Sequence, residues 1–267
     1  MNEFVYGNKD RIFVNTDMGC NSNCSYCYLP ALNIKHAKKK ISVGEAIGLV
    51  ENLKYYKRGK NGTIISIGCY SECMDQENKE DTFQIIEYFL KQGNYVQLAT
   101  KKQIDSDFLK RLSEFQNEKR QLWIYVSLPV ITESDKMEIG TDIPEKRIKN
   151  FALCKQFGIN CALYIKPYID GVTDKDVDKY IDIINRFNIP AIVGEMLSVD
   201  EKGEEALVGE KRLYGYKMEG MDSFVRQLKR VTEVYLHSTE CIDKEEKFYN
   251  EYNSDNTTGN FYINTNM

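Results

Sequence analysis

Apolar positions along the chain fall in two rhythms that take turns: short β-branched or aromatic runs, and longer stretches with helical period. The short runs predict strands at Arg11–Asp17, Thr63–Gly68, Tyr95–Thr100, Leu122–Leu128, Asn160–Tyr168 and Pro190–Leu197, each apolar enough to be covered on both faces. Helical stretches follow them at Val43–Lys57, Lys79–Gln92, Ser106–Gln116, Pro144–Phe157, Lys175–Phe187 and Met221–His237. Ser42 before the first helix, Pro144 opening the fourth, and Gly93 and Gly158 just past the second and fourth supply start and stop signals. Six such βα units with right-handed crossovers make a parallel sheet, an open or partial (β/α)6 version of the eight-unit barrel. Chemistry then belongs at the carboxyl ends of the strands.

Two segments break the alternation. Residues 199–217 carry charges and glycines with little period and predict a loop or hairpin inserted in a barrel spanning residues 1–241. Residues 242–267 are rich in Asn, Thr and charge, which predicts a polar, partly disordered tail. At 267 residues and 42% hydrophobic content the chain can bury one sizeable core. With 36 Lys plus Arg against 40 Asp plus Glu, no global cationic field draws it to nucleic acid or anionic lipid. There is no signal-peptide pattern and no run near the roughly 18 apolar residues that cross a bilayer, so the expectation is a cytoplasmic protein without a membrane partner. In a reducing compartment the eight cysteines matter for their spacing rather than their number.

Straight after the first predicted strand comes Cys20-Asn-Ser-Asn-Cys24-Ser-Tyr-Cys27. Three thiolates so close on a loop can hold three irons of a [4Fe–4S] cluster and leave the fourth open to an outside ligand. A structural zinc site wants four ligands, and the nearest extra one is His36, set among Lys35, Lys38, Lys39 and Lys40. This triplet, with an aromatic residue, Tyr26, before its last Cys, resembles the hallmark of the radical S-adenosylmethionine (SAM) superfamily. The resemblance implies that Cys20, Cys24 and Cys27 ligate the cluster and that the open iron chelates SAM. It further implies reductive cleavage of SAM to methionine and a 5′-deoxyadenosyl radical that takes hydrogen from a substrate. An external one-electron donor of the flavodoxin or ferredoxin type is implied as partner.

A second constellation lies at successive strand ends. Cys69-Tyr-Ser71-Glu72, Thr100-Lys101, Ser127, Met137-Glu138-Ile-Gly-Thr141 and Arg147 are similar, in order, to the spore photoproduct lyase branch of that superfamily. That resemblance implies Ser71 and Lys101 at the amino-carboxylate end of SAM, Ser127 at its ribose, and Cys69 as the thiol returning hydrogen to a product radical. Each residue has a plainer reading as well. Lys101 can be simply solvated, Ser71 and Ser127 can be turn or cap residues, and Cys69 can pack as a small buried hydrophobe. Glu138 and Arg147 can brace the site by pairing with each other. Cys73, Cys154, Cys161 and Cys241 read as packed thiols, and Lys166, Tyr168 and Asp170 follow the fifth strand where they can line the barrel mouth.

The substrate expected from the resemblance is a nucleic-acid or nucleotide lesion opened by C–C bond cleavage. Residues 199–267 hold nine basic against fourteen acidic side chains, the opposite of a duplex-gripping surface. The alternative is therefore a small molecule or peptide substrate, with Cys69 structural.

Overall fold

The computed structural model describes residues 3–36, 39–116, 121–198, 204–208 and 211–243. Apart from two-residue strands at Asp17–Met18, Asn23–Cys24, Lys39–Lys40 and Glu138–Ile139, its strands in chain order are β1 (Val5–Gly7), β2 (Arg11–Val14), β3 (Ile64–Ile67), β4 (Val96–Thr100), β5 (Leu122–Ser127), β6 (Asn160–Ile165), β7 (Ala191–Val193), β8 (Met196–Ser198), β9 (Glu204–Val208), β10 (Lys211–Tyr216) and β11 (Val234–Tyr235). Its longer helices are α1 (Val43–Glu51), α2 (Lys79–Lys91), α3 (Ser106–Ser113), α4 (Pro144–Gln156), α5 (Val177–Phe187) and α6 (Met221–Leu228).

Eight strands form one sheet in the order β1-β2-β3-β4-β5-β6-β7-β11. Only β1 is antiparallel to its neighbour; from β2 onward every pairing is parallel. One of these longer helices lies between each parallel strand and the next, so six βα units run in sequence order and the fold is the α/β partial barrel expected. Alternation along each strand sorts the side chains into two cores. Ile12, Val14, Ile65, Leu98, Ile124, Leu163, Ile165 and Val193 pack outward against helix residues such as Phe83, Phe89 and Phe151. Ile64, Trp123, Tyr125, Ala162, Ile192 and Tyr235 pack inward, together with Cys241 and Ile242 beyond the last strand.

Local signals act as their chemistry dictates. Ser42 has an extended backbone and its hydroxyl accepts from the Glu45 amide at 3.2 Å, while Pro144 opens α4. Gly93 and Gly158 take φ of +86° and +64° just past their helices, where a side chain would be strained.

Three expectations are corrected. The last helix stops at Leu228 instead of running to His237. The amides of Val231 and Thr232 both turn back to the Leu228 carbonyl, the Thr232 hydroxyl bonds Ile189 O, and Val234 and Tyr235 join the sheet beside β7 as a further parallel strand. The first helix stops at Glu51 instead of Lys57, because Tyr55 and Tyr56 turn to donate to Gly7 O and Asn94 Oδ1. The short strand β1 precedes the first strand that periodicity finds. Within residues 199–217, β9 and β10 pair antiparallel, and β10 pairs with β8. The tail expected from 242 onward lies outside the described residues from 244. Among the described residues no helix is long and apolar enough to cross a membrane.

Candidate active site

The cysteine loop leaves β2 and is pinned from three sides. Gly19, at φ +113°, donates its amide to Tyr70 O at 3.0 Å; Cys20 N donates to Lys35 O at 3.2 Å and closes the loop. Asn23–Cys24 forms a short antiparallel ladder with Glu138–Ile139, and Ser25 N donates to Met137 O at 2.9 Å. Cys20, Cys24 and Cys27 are unpaired and half-buried. Burial pushes the Cys20 thiol up and that of Cys24 to about 11, partly opposed by Lys35 and Lys101 respectively, so metal binding must displace protons. Among the described residues no three Cys, His, Asp or Glu side chains form a compact single-ion site.

An orphan charge beside this loop fits a polynuclear, net-negative occupant. The Lys35 ammonium is buried and, among the described residues, has no hydrogen-bond partner, while lying within electrostatic reach of Cys20. An unpaired buried cation is costly, and thiolate-bound iron–sulfur is the kind of neighbour that compensates it. Lys35→Met is therefore expected to stabilise the cluster-free chain by roughly 1–3 kcal/mol in urea unfolding, and to lose that advantage once the cluster is loaded.

Strand ends β3, β4 and β5 bring most of the second constellation together. The Lys101 ammonium donates to Ser127 Oγ at 2.8 Å, lies 4.0 Å from Glu138 Oε1 and sits 5.6 Å from the centre of the Tyr26 ring. Tyr26 hydroxyl donates to the same carboxylate oxygen. The other oxygen of Glu138 is held by Arg147 Nη2 at 2.5 Å, while Arg147 Nη1 and Nε donate to Ser127 O and Asp142 O at 2.8 and 2.7 Å. Arg147 is fully buried and Glu138 nearly so. The pair therefore fastens the Tyr26 ring of the cysteine loop, Lys101 and the end of β5 to one another. Ser71 is half-buried and takes no part in this network.

Glu72, which periodicity did not single out, is the second fastening. It accepts from Thr100 Oγ1 at 2.5 Å, Met74 N at 3.1 Å and Lys101 N at 2.9 Å, and burial raises its carboxyl against these bonds. An acid wedged between the glycine turn at Gly68 and apolar Met74 was the available signal. Gly68 has φ +78°, and a Cβ there would fall 2.9 Å from that of Cys73, so only glycine lets the chain fold back after β3. Cys73 packs in the core, with its sulfur 3.6 Å from Ala99 O.

Cys69 follows that glycine and stays partly exposed. Burial pushes its thiol to about 11, against Arg11 and the neighbouring Tyr6 hydroxyl. Tyr28, from the cysteine loop, donates to Cys69 O at 2.7 Å and has both Cys27 and Cys69 as electrostatic neighbours. Tyr164 completes the surround; in register it stands beside Ser127.

Below lies a polar layer inside the barrel. Arg11 Nε donates to Ser66 Oγ at 2.7 Å. The Gln97 amide, oriented to satisfy its neighbours, accepts from Arg11 Nη2 at 2.9 Å and donates to the Tyr125 hydroxyl, which itself donates to Ser238 O at 2.6 Å. Lys166 stands two residues beyond Tyr164 on the same face. Its stem lies across Gly194, where a Cβ would collide with Lys166 Cε. Arg11, Ser66, Gln97 and Tyr125 were not identified from the sequence, because a polar residue inside a strand carries no mark of the lumen it faces; nor was Tyr28, one residue past the cysteine triplet.

No curated protein is similar in sequence at a significant level. Among solved structures, a spore photoproduct lyase mutant with bound AdoMet and dinucleoside spore photoproduct superposes with TM-score 0.60 at 13% identity, over 85% of this chain and 76% of that one. Streptococcus suis SuiB bound to S-adenosylmethionine superposes with TM-score 0.57 at 14% identity, over 86% of this chain and 50% of that one. Both are likenesses of fold. The model of the Radical SAM superfamily matches residues 14–184, from the last residue of β2 through the cysteine loop and into α5. With three free cysteines on the loop after the first parallel strand of a partial barrel, and that match over more than half its length, the chain belongs to the radical SAM superfamily.

Proposed function

We propose that this radical SAM enzyme abstracts hydrogen from a substrate held in the barrel and that Cys69 returns a hydrogen atom to the product radical, in the manner of a spore photoproduct lyase. In this reading Cys20, Cys24 and Cys27 hold the [4Fe–4S] cluster, Ser71 and Lys101 meet the amino-carboxylate end of SAM and Ser127 its ribose, Tyr26 helps to bind the cofactor, and Glu138 and Arg147 hold Lys101 and Tyr26 in place. When bound, the cluster supplies the electron that splits SAM into methionine and a 5′-deoxyadenosyl radical. Radical SAM enzymes need a reductant, and an external flavodoxin- or ferredoxin-type donor is its proposed source here.

The observation that carries the reading is the placement of Cys69. Its partly exposed thiol stands within reach of Tyr28, which adjoins Cys27, and of Tyr164, which adjoins Ser127. Burial keeps it a thiol rather than a thiolate near neutral pH, the form that carries a hydrogen atom to give.

The test is anaerobic turnover with SAM and a dinucleotide spore photoproduct, following released thymine dinucleotide. Repair by the wild type, and aberrant products with Cys69→Ala, is the expected pair of results. An unchanged product mixture with Cys69→Ala overturns the donor role. The acidic balance of residues 199–267 favours the second reading, a small molecule or peptide substrate with Cys69 structural; absence of nucleic-acid binding at low salt would select it.

A further inference from the structure

The inner face of the strands is only partly closed. Outward-facing Ile12, Val14, Leu98, Leu163 and Ile165 are at most 2% exposed, whereas their alternates Arg11, Phe13, Ala99, Lys101, Tyr164 and Lys166 remain partly accessible although they point into the barrel. Two of these carry charge that the fold leaves without a counter-ion. Among the described residues, Arg11 is held only by neutral groups: Ser66, Gln97 and the Phe13 ring, whose centre lies 4.2 Å from the guanidinium carbon. Among the same residues Lys166 makes no hydrogen bond or ion pair, and its ammonium stands 5.8 Å from the centre of the Tyr164 ring.

Among the described residues, three charged groups act on Lys166. Arg11 repels it, and Glu195 and Glu240 attract it from beyond ion-pair distance. Glu240 is occupied with the amides of Leu236 and His237. Burial, then Arg11, lowers Lys166 to about 8, so the two cations share an unbalanced field that an anion would relieve. Gly194 is what admits the lysine stem, since any Cβ there would collide with it. A guanidinium with fixed in-plane partners and a flexible ammonium opposite it form the usual pair for grasping an oxyanion.

We propose that Arg11 and Lys166 form an anion subsite in the barrel lumen that receives a phosphate or carboxylate group of the substrate, beneath the Lys101–Ser127 pair. This rests on the radical SAM reading of the same barrel and narrows its substrate to an anionic molecule.

The test uses the cluster-loaded protein with SAM bound, titrated anaerobically with inorganic phosphate and separately with succinate, at constant ionic strength. Millimolar binding of at least one anion is expected, weakened ten-fold or more in Lys166→Met and in Arg11→Met. Arg11→Lys should retain part of it and the surface variant Lys9→Met all of it. The tighter of the two anions identifies the substrate group. Gly194→Ala, which displaces Lys166 without removing its charge, should weaken binding as well, and visible absorption of the cluster with circular dichroism checks that each variant is folded. Equal binding by wild type and both Met variants, or none by wild type, overturns the proposal. So does joint weakening of SAM and phosphate in Lys166→Met, which would assign the cations to SAM. Formation of 5′-deoxyadenosine is followed in parallel: anion binding without it defeats the enzymatic reading alone, and its formation without anion binding defeats the subsite alone.

Discussion

Replacing Cys24 with Ala is expected to abolish reductive SAM cleavage, a loss of at least a thousand-fold, and to remove most of the visible absorption of a reconstituted cluster. Three thiols are what the loop offers, and its sequence carries no fourth Cys to take the place of a missing one. Cys24 is also the member whose backbone is fixed by the ladder to Glu138–Ile139, so the loop itself should persist in the variant. Unchanged urea stability of the cluster-free chain, together with lost iron and sulfide, is the combined result that assigns the effect to ligation. A variant that retained a full cluster and SAM cleavage would remove Cys24 from the ligand set.

The largest expected effect on stability belongs to Arg147→Met. The wild-type guanidinium is fully buried and makes bonds to Glu138 Oε2, Ser127 O and Asp142 O. Methionine fills comparable volume but leaves the Glu138 carboxylate buried beside Tyr26, with Lys101 4.0 Å away as its remaining cation. Removing one member of a buried ion pair costs about 3–5 kcal/mol, because the partner's desolvation is no longer offset. Replacing both, as Glu138→Met with Arg147→Met, should restore a substantial part of that loss in chemical denaturation. The double variant should still bind SAM weakly, since Lys101 and Tyr26 lose their shared anchor. Equal stability of wild type and Arg147→Met would show that this pair does not hold the site together.

The fold could be read from the sequence because each βα unit declares itself: short β-branched and aromatic runs alternate with helical period, and helices such as α4 begin at a proline and end before a glycine. The errors fall where tertiary contacts override local period. Val231, Thr232 and Val234 continue a helical pattern, but the first two turn back to the Leu228 carbonyl and Val234, with Tyr235, gains more by pairing with β7 at an open sheet edge. The grouping of residues was legible where spacing is local, as in the cysteine triplet, and where the order of strand ends could be followed, as for Lys101, Ser127, Glu138 and Arg147, which one network joins. Arg11 and Gln97 were not legible, since a polar residue within a short strand acquires meaning only when the barrel places it next to Ser66 and Tyr125. Glu72 stood in the motif after β3 without a role for the same reason: its three donors come from two different strand ends.

The most direct measurement takes the wild-type chain, reconstituted anaerobically with iron and sulfide, reduces it with dithionite and supplies SAM, with mass spectrometry of the products. Formation of 5′-deoxyadenosine and methionine that depends on both cluster and reductant is the predicted result. A reduced [4Fe–4S] signal in electron paramagnetic resonance, with SAM bound and no 5′-deoxyadenosine formed, would contradict the account.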